Sequence, residues 1–465
     1  MKLKRIVALL LISILMITTL AACTDKAEKK DDKGKTEKTE TSTNTSTSST
    51  TDASSSDKST TEESSKYDVT QPITIEWWHA LESQYQPTLD KVVADFESKN
   101  PNIKVEAIYQ GSYSDLNEKL VAAQAAGTTL PAVTVANSPL IAEYGASGLC
   151  EILDPYIEAT GFDIDDFGEG LVRSSSYDGQ QVSLPFQIST QIMYYNKDMA
   201  TAEGITIPTK WSEMDEFITK VAKVSGGTTE RYATVIPGWD QWYFETFFLN
   251  NGVNIVNDDN VSTDLNSEKA LSIAESIKKW HQDGTAYLAY GTGASADMRQ
   301  NFLDGKAFSV IHTSSLYNMY VDNATFEVGM AWLPGGDTDY SEVGGNMLLI
   351  PAKNTQEVKN AGWALLTYLT SKDVNMVWAI ETGYMPTRNS VTQTEEAKEF
   401  LKVKPAFDVI FDNLDKINPR IQHPAYTRLS SIWKEHLAKA VIENEDMKTS
   451  MDAAKKLIDE ALEEE

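Results

Sequence analysis

Ile73-Thr74-Ile75-Glu76-Trp77-Trp78 opens the stretch on which the fold reading rests. Its β-branched and aromatic residues read as a strand. From Pro87 to Lys99 the apolar residues recur at helical spacing, and Asn100-Pro101 closes that helix, since a residue before proline is pushed out of the helical region. Ile103 to Tyr109 reads as a second strand, Asp115 to Ala126 as a second helix and Ala132 to Ala136 as a third strand. Strands alternating with helices in this way give a mostly parallel sheet covered by helices.

The same grammar returns downstream. Gln191 to Tyr195 reads as a strand, Trp211 to Lys223 as a helix, and Phe308 to His312 and Met347 to Ile350 as strands. Thr355 to Leu369 and Asp373 to Thr382 follow as helices, and the chain from Ala425 onward is helical with dense charge pairing. In open α/β sheets, ligands sit beyond the carboxyl ends of the strands. Those ends carry Trp78-His79, Gly111-Ser112-Tyr113 and Asn137-Ser138-Pro139. Aromatics, small polar residues and glycine suit a polyol or phosphate cleft better than an acid–base centre.

The amino terminus supplies the address. Lys2, Lys4 and Arg5 precede a mostly apolar run from Ile6 to Leu20, which ends in Leu20-Ala21-Ala22-Cys23. The run is shorter than the roughly 20 residues that a spanning helix requires, and small residues close it, as in a signal peptide (residues 1–22). The tetrapeptide resembles the lipobox of bacterial lipoproteins, which implies an acylated, palmitate-type anchor on Cys23. Residues 23–66 are Ser, Thr, Lys, Asp and Glu with almost nothing apolar, so they are expected to be a disordered tether. A tether of that length favours the outer face of a Gram-positive membrane. With Cys23 acylated, Cys150 has no intrachain partner and is expected to be a free buried thiol.

The remaining residues are too many for one core and suit two lobes. With 68 acidic residues against 41 basic ones and a formal charge of −27, nucleic acid is excluded as a partner, because binding phosphate backbone needs a basic face. The five histidines form no H-E-x-x-H, and no C-x-x-C, G-x-S-x-G or G-x-x-x-x-G-K-[ST] is present, so neither a cofactor nor a metal is expected. His79 at a strand end reads as structural or ligand-contacting before it reads as a base. Gly291-Thr292-Gly293-Ala294-Ser295-Ala296 lacks the strand and acidic partner of a dinucleotide site and reads as a loop into a helix near Met298. Asn257 to Ser262 lacks the glycine of a calcium loop and reads as a hairpin turn.

The tryptophans carry more. Trp77 reads as core, whereas Trp239 and Trp242 lie in Gly238-Trp239-Asp240-Gln241-Trp242 before a helix and read as solute contacts. Trp77-Trp78-His79-Ala80-Leu81-Glu82, Tyr109-Gln110-Gly111-Ser112-Tyr113 and Leu184 to Asp198 resemble the family 1 extracellular solute-binding proteins of ABC importers. So do Pro208-Thr209-Lys210-Trp211, Phe302 to Lys306, Gly344-Gly345-Asn346 and Thr382-Gly383-Tyr384-Met385-Pro386. The likeness runs in order from about residue 70 to 460, and is greater to the glycerol-3-phosphate-binding branch than to maltose-type members.

The resemblance implies site residues. Tyr113 and Ser189 are expected to touch the solute, Trp239 and Trp242 to wall the cleft, and Ser314, Gly345, Tyr384 and Arg428 to add contacts. Arg428 would meet a phosphate; otherwise an arginine in a C-terminal helix is a solvated charge. Ser138 stands where that branch has a glutamate for the glycerol hydroxyls, which leaves room for a larger head group or points to another polyol or sugar. The implied fold is a two-lobed, periplasmic-binding-protein-like α/β structure with crossing hinge strands. Its first lobe would be 67–194 plus 344–394, and its second 195–343 plus 395–465. The implied role is capture of glycerol 3-phosphate or a glycerophosphodiester, delivered to ABC permease subunits by hinge closure. An oligosaccharide in the same role is the alternative, and an exported hydrolase a more distant one.

Overall fold

The computed structural model describes residues 65–464. The signal segment, Cys23 and the tether up to residue 64 lie outside the described residues. The described chain opens with a 3-10 turn at Ser65–Tyr67, and the Tyr67 ring packs 4.3 Å from that of Tyr156.

The amino-terminal alternation folds as its periodicity predicts. Strands Ile73–His79 and Ile103–Tyr109 pair in parallel, with helix Gln86–Lys99 between them. Val133–Asn137 pairs in parallel on the other side of the first strand. The sheet then continues through Ser341–Leu349, Leu184–Asn196, Ala307–Thr313, Thr228–Pro237 and Lys223–Ser225, with three short strands added at its flanks, eleven strands in all. Two of these strands tie the lobes together. Residues 184–190 of Leu184–Asn196 run antiparallel to Ser341–Leu349, whereas residues 191–196 pair with Ala307–Thr313 and Val328–Ala331. The change of partner falls between Thr190 and Gln191.

This strand is longer than the expected Gln191 to Tyr195, and nearly all of it is buried. Pro185, Gln187, Ser189 and Thr190 interrupt the apolar pattern there, so its amino-terminal half does not read as a core strand. Proline is accommodated because the ladder has a bulge beside it, between Asn346 and Met347. The expected C-terminal helix is two, Tyr426–Ile442 and Met447–Glu463, and Asn444 between them has φ +60°. Asn257 and Ser262 close a turn, Asn257 N–H donating to Ser262 O at 2.9 Å, but no described strands flank it as a hairpin would require.

Each lobe has its own core. Ile75, Trp77, Phe96, Val133, Leu366 and Trp378 fill one. Trp77 is fully buried and meets the edge of Phe186 at 6.0 Å, as its inward reading required. Phe244, Phe248, Trp280, Trp433 and Met451 fill the other. A middle cluster that includes Ile188, Ile192, Val343 and Met347 lies along the crossing strands. Cys150 is free and buried, and burial pushes its thiol up to about 12. Among the described residues no helix is long and apolar enough to cross a membrane.

Trp433 packs edge-on against Phe244 at 5.1 Å and Phe248 at 5.0 Å, fastening the C-terminal helices to the second core. Trp433→Ala is expected to cost about 3–5 kcal/mol, measured as a lowered urea midpoint. The far-UV spectrum of the native state should be unchanged.

Candidate functional site: an aromatic cleft at the crossing strands

A cavity of about 640 Å³ opens between the ends of the two lobes' elements. On one side lie the chain after the first strand (Leu81 to Tyr85), Tyr113 and Tyr384; on the other lie Tyr243, Arg299, His312 and Asn318.

Local rules put the tyrosines there. Gly111 turns at φ +100°, and a Cβ on it would sit 2.6 Å from Asp115 Oδ2. Ser112 and Asp115 form a reciprocal capping box, which starts helix Tyr113–Ala126 and makes Tyr113 its first residue. Helix Lys372–Thr382 stops at Gly383 in the left-handed region, and Met385 N–H then donates to Ile188 O at 2.8 Å. Tyr384 is held between these two fixed points. The Tyr113 hydroxyl accepts from Asn346 Nδ2 at 2.7 Å, and the same amide donates to Gln187 Oε1 at 3.1 Å. Burial pushes Tyr113 up to about 12 and Tyr384 well above its ordinary range, so both present neutral hydroxyls.

Behind the lining residues Tyr243 and His312, glycine and tryptophan pack together on the crossing strands. Ser189 faces Gly344 across the crossing strands. A Cβ on Gly344 would lie 2.4 Å from the Trp242 ring and 2.8 Å from Ser189 Oγ. Gly345 has φ +86°, and its Cβ would strike Gln187 O at 1.9 Å. Asp240 Oδ1 accepts from the N–H of Trp242, the first residue of helix Trp242–Asn250, at 3.0 Å. Trp239 is half-buried and packs on Tyr243 and His312. His312 bonds the Tyr320 hydroxyl at 2.9 Å; burial, aided by nearby Arg299, pushes it down to about 3, and it is a neutral wall residue. His79 accepts from Leu81 N–H at 3.2 Å, is pushed down to about 4 by burial, and has a structural role.

Of the expected contacts, Tyr113 and Tyr384 line the cavity, Trp239 and Trp242 pack against its wall residues Tyr243 and His312, and Ser189 and Gly345 lie on the crossing strands. Ser314 is wholly buried beneath it, its hydroxyl accepting from Thr190 N–H at 3.1 Å, which ties it to the hinge strand. Ser138 is buried, and its Oγ has no partner among the described residues. Arg428 is not brought to this cleft. Its helix buries Leu429 and Trp433, which turns Arg428 outward. Its half-exposed guanidinium pairs with Glu464 and lines a separate groove with Glu143 and Pro424.

The arginine behind the cleft floor is Arg420, which the sequence reading missed. It is 7% exposed, with its guanidinium 5.7 Å from the Trp242 ring and 4.9 Å from that of Tyr426, whose hydroxyl it also bonds. One signal was available: Asn418-Pro419-Arg420 cannot continue a helix, so this charge is not part of a solvated helical face. Gln187 Nε2, Asn346 Oδ1 and Trp242 Nε1 are buried without partners among the described residues. Buried polar atoms are normally paired, so these suit a hydroxyl- or oxyanion-bearing solute. No cluster of residues able to hold a metal occurs among the described residues.

A family model of bacterial extracellular solute-binding proteins matches residues 91–405. The chain belongs to that family. It is a solute-binding protein of the kind that serves ABC importers. Among its relatives, a protein of Brucella abortus named as a binding protein is 28% identical over 326 residues, covering 67% of this chain and 74% of that one. The sn-glycerol-3-phosphate-binding periplasmic protein UgpB of Escherichia coli K12 is 23% identical over 354 residues, covering 72% and 79%. Solved structures share the two-lobed fold. UgpB of Mycobacterium tuberculosis in complex with glycerophosphocholine superposes with TM-score 0.74 at 22% identity, covering 84% of this chain and 99% of that one. A Listeria monocytogenes ABC substrate-binding protein in complex with cycloalternan gives 0.73 at 18%, covering 84% and 100%.

The histidines give this solute-binding protein a measurable acid response. His312 falls from an ordinary value of 6.5 to about 3 on folding, so below pH 6.5 the unfolded chain takes up a proton that the folded chain refuses. Its contribution to stability is therefore present above pH 6.5 and lost progressively as pH falls. His312→Gln should flatten the dependence of urea stability on pH between 6 and 4 by up to about 1.4 kcal/mol per pH unit, one proton's worth.

Proposed function

We propose that this chain is the capture subunit of an ABC importer, held at the outer face of the membrane by a lipid on Cys23, and that its solute is a glycerophosphodiester or glycerol 3-phosphate. The lobes in this reading are 67–194 plus 344–394 and 195–343 plus 395–465. They close about the Thr190–Gln191 changeover when solute bridges them, a population shift toward the closed state. The closed form is what permease subunits recognise.

The observation that carries the solute assignment is Arg420, a buried guanidinium behind Trp242, together with Arg299 on the cavity wall and the neutral hydroxyls of Tyr113 and Tyr384. A guanidinium fork with hydroxyl and amide donors is how proteins hold a phosphate group. In this reading Arg420 has the part first expected of Arg428. Glu82, Asp322 and Glu381 line the cavity beside Tyr85 and Tyr384, an acidic and aromatic rim suited to a cationic head group on a phosphodiester. The size of the cavity and Ser138 in place of a carboxylate agree with a solute larger than glycerol 3-phosphate.

The aromatic walls also favour a second reading, an oligosaccharide stacked on Trp239 and Trp242. Calorimetry of the purified protein with glycerophosphocholine, glycerol 3-phosphate and malto-oligosaccharides separates the two. Arg420→Lys should weaken a phosphate-bearing solute by about 2–4 kcal/mol, the loss expected when a charge-assisted bidentate partner is removed, and Arg428→Ala by less than about 0.5 kcal/mol. Sugar binding that is indifferent to Arg420, with no heat from either phosphate compound, would replace the phosphate reading with the sugar one.

A further inference from the structure

Behind Trp242 lies a buried polar network that solute contact alone does not explain. Glu342, on crossing strand Ser341–Leu349, is 1% exposed; Glu245, on helix Trp242–Asn250, is 0% exposed; their carboxyls hydrogen-bond to each other. Gln241 Nε2 donates to Glu245 Oε2 at 2.5 Å. The Thr246 hydroxyl lies 3.0 Å from Glu342 Oε2 and 2.6 Å from Gln191 Oε1, and the Gln191 amide donates to Trp242 O. Ser341 Oγ joins the two crossing strands, accepting from Thr190 Oγ1 at 2.6 Å and donating to Gln191 O at 3.0 Å.

The charged groups facing the pair are few. Arg420 Nε lies 3.5 Å from Glu245 Oε1, and Arg420 Nη2 lies 3.4 Å from Asp240 Oδ1. The pair's other described neighbours, Gln191, Gln241 and Thr246, are neutral, and the Tyr426 hydroxyl bonds Arg420. One guanidinium thus faces two buried carboxyls and shares itself with a third carboxylate. Two carboxylates in contact in a dry interior cannot both ionise against half a counter-charge. Burial, with the adjoining Glu245 adding to it, holds the Glu342 carboxyl well above its ordinary range.

We propose that Glu245 and Glu342 share one proton and act as positioning residues for Arg420, so that binding of an anionic solute beside Trp242 is coupled to proton uptake. When the pair holds its proton, Arg420 has a single close carboxylate partner in the pair and its guanidinium can turn toward an oxyanion. When the proton is lost, a second carboxylate competes for the same guanidinium and repels the incoming anion. Binding therefore favours the protonated pair, and affinity falls as pH rises through its titration. The inference rests on the phosphate reading of the cleft.

The test uses glycerophosphocholine, because a phosphodiester has no proton to exchange near neutral pH, so every proton counted belongs to the protein. Calorimetry from pH 5.5 to 8.5, in buffers of different ionisation enthalpy, should show the wild-type protein taking up a fraction of a proton on binding. Its Kd should rise with pH, by at most tenfold per pH unit. Glu342→Gln mimics the protonated acid; its binding should be flat with pH and free of buffer dependence. Glu245→Gln, which leaves a single carboxyl, should likewise abolish the linked proton. Proton uptake that is the same in both variants and the wild type, or absent from the wild type throughout, overturns the coupling. If glycerophosphocholine does not bind at all, the solute reading has failed. A difference titration of solute-free wild type against Glu342→Gln then decides the shared proton: one proton released above the ordinary carboxylate range supports it, and none refutes it.

Discussion

The structure depends on the antiparallel pairing of two strands, Leu184–Asn196 and Ser341–Leu349, that belong to both lobes at once. Their ladder supplies partners for the backbone where the chain crosses the cleft, the place where an unpaired amide would be most costly. It also packs Ser189 and Gly344 against Trp242, with Gly345 next to them. Glycine is required twice there for different reasons. At Gly345 the backbone itself is left-handed and lies against Gln187 O, and at Gly344 a side chain would occupy the volume of the Trp242 ring. The floor is therefore backbone and indole, and both are rigid.

That rigidity sets how the cleft discriminates. The Tyr113 and Tyr384 hydroxyls on its lining, and the Asn346 and Gln187 amides and Trp242 indole behind them, are neutral, burial keeps the tyrosines so, and Arg299 adds a cation to the wall. Neutral buried groups discriminate through what is left unpaired when the wrong molecule sits there, a penalty of about 1–3 kcal/mol for each stranded atom. Charge plays a different part. A chain with a formal charge of −27 cannot draw an anion from a distance, and at physiological ionic strength fields fade over about 8 Å. Attraction for a phosphate has to be local, which fits Arg299 on the cavity wall and Arg420 packed behind Trp242 and Tyr426.

Much of the fold was legible because its signals are local. The strand–helix alternation from Ile73 to Ala136, the helices at 356–369 and 372–382, the inward Trp77 and the buried Cys150 all follow from periodicity, capping or residue type within a few positions. The crossing strand was half-read, because the polar residues that make it functional, Gln187, Ser189 and Thr190, are the ones that hide a core strand. The site divides the same way. Tyr113 could be found because it follows Gly111 at a strand end, whereas Tyr384 came only from the family resemblance. Arg420 and Arg428 could not be ranked from sequence, since the choice depends on helix phase and on how the Asn418-Pro419 loop folds back under Trp242.

The same contrast explains why so many carboxyls could be ignored and two could not. Many acidic side chains here pair at the surface, as Asp95 does with Lys99 at 2.7 Å and Asp452 with Lys448 at 2.6 Å, and such exposed pairs add little to stability. Glu245 and Glu342 have no water to share their charge, and their only nearby cation also faces Asp240. Burying them together is unfavourable as packing, since apolar residues of similar volume would fill the space at lower cost. Their position supplies a functional reason for keeping them. One sits on the strand that joins the lobes, the other on the helix that carries Trp242, and the arginine between them is the one cation behind the floor. A polar cluster placed at that junction connects the state of the hinge to the state of the cleft through hydrogen bonds alone, without any element having to move far.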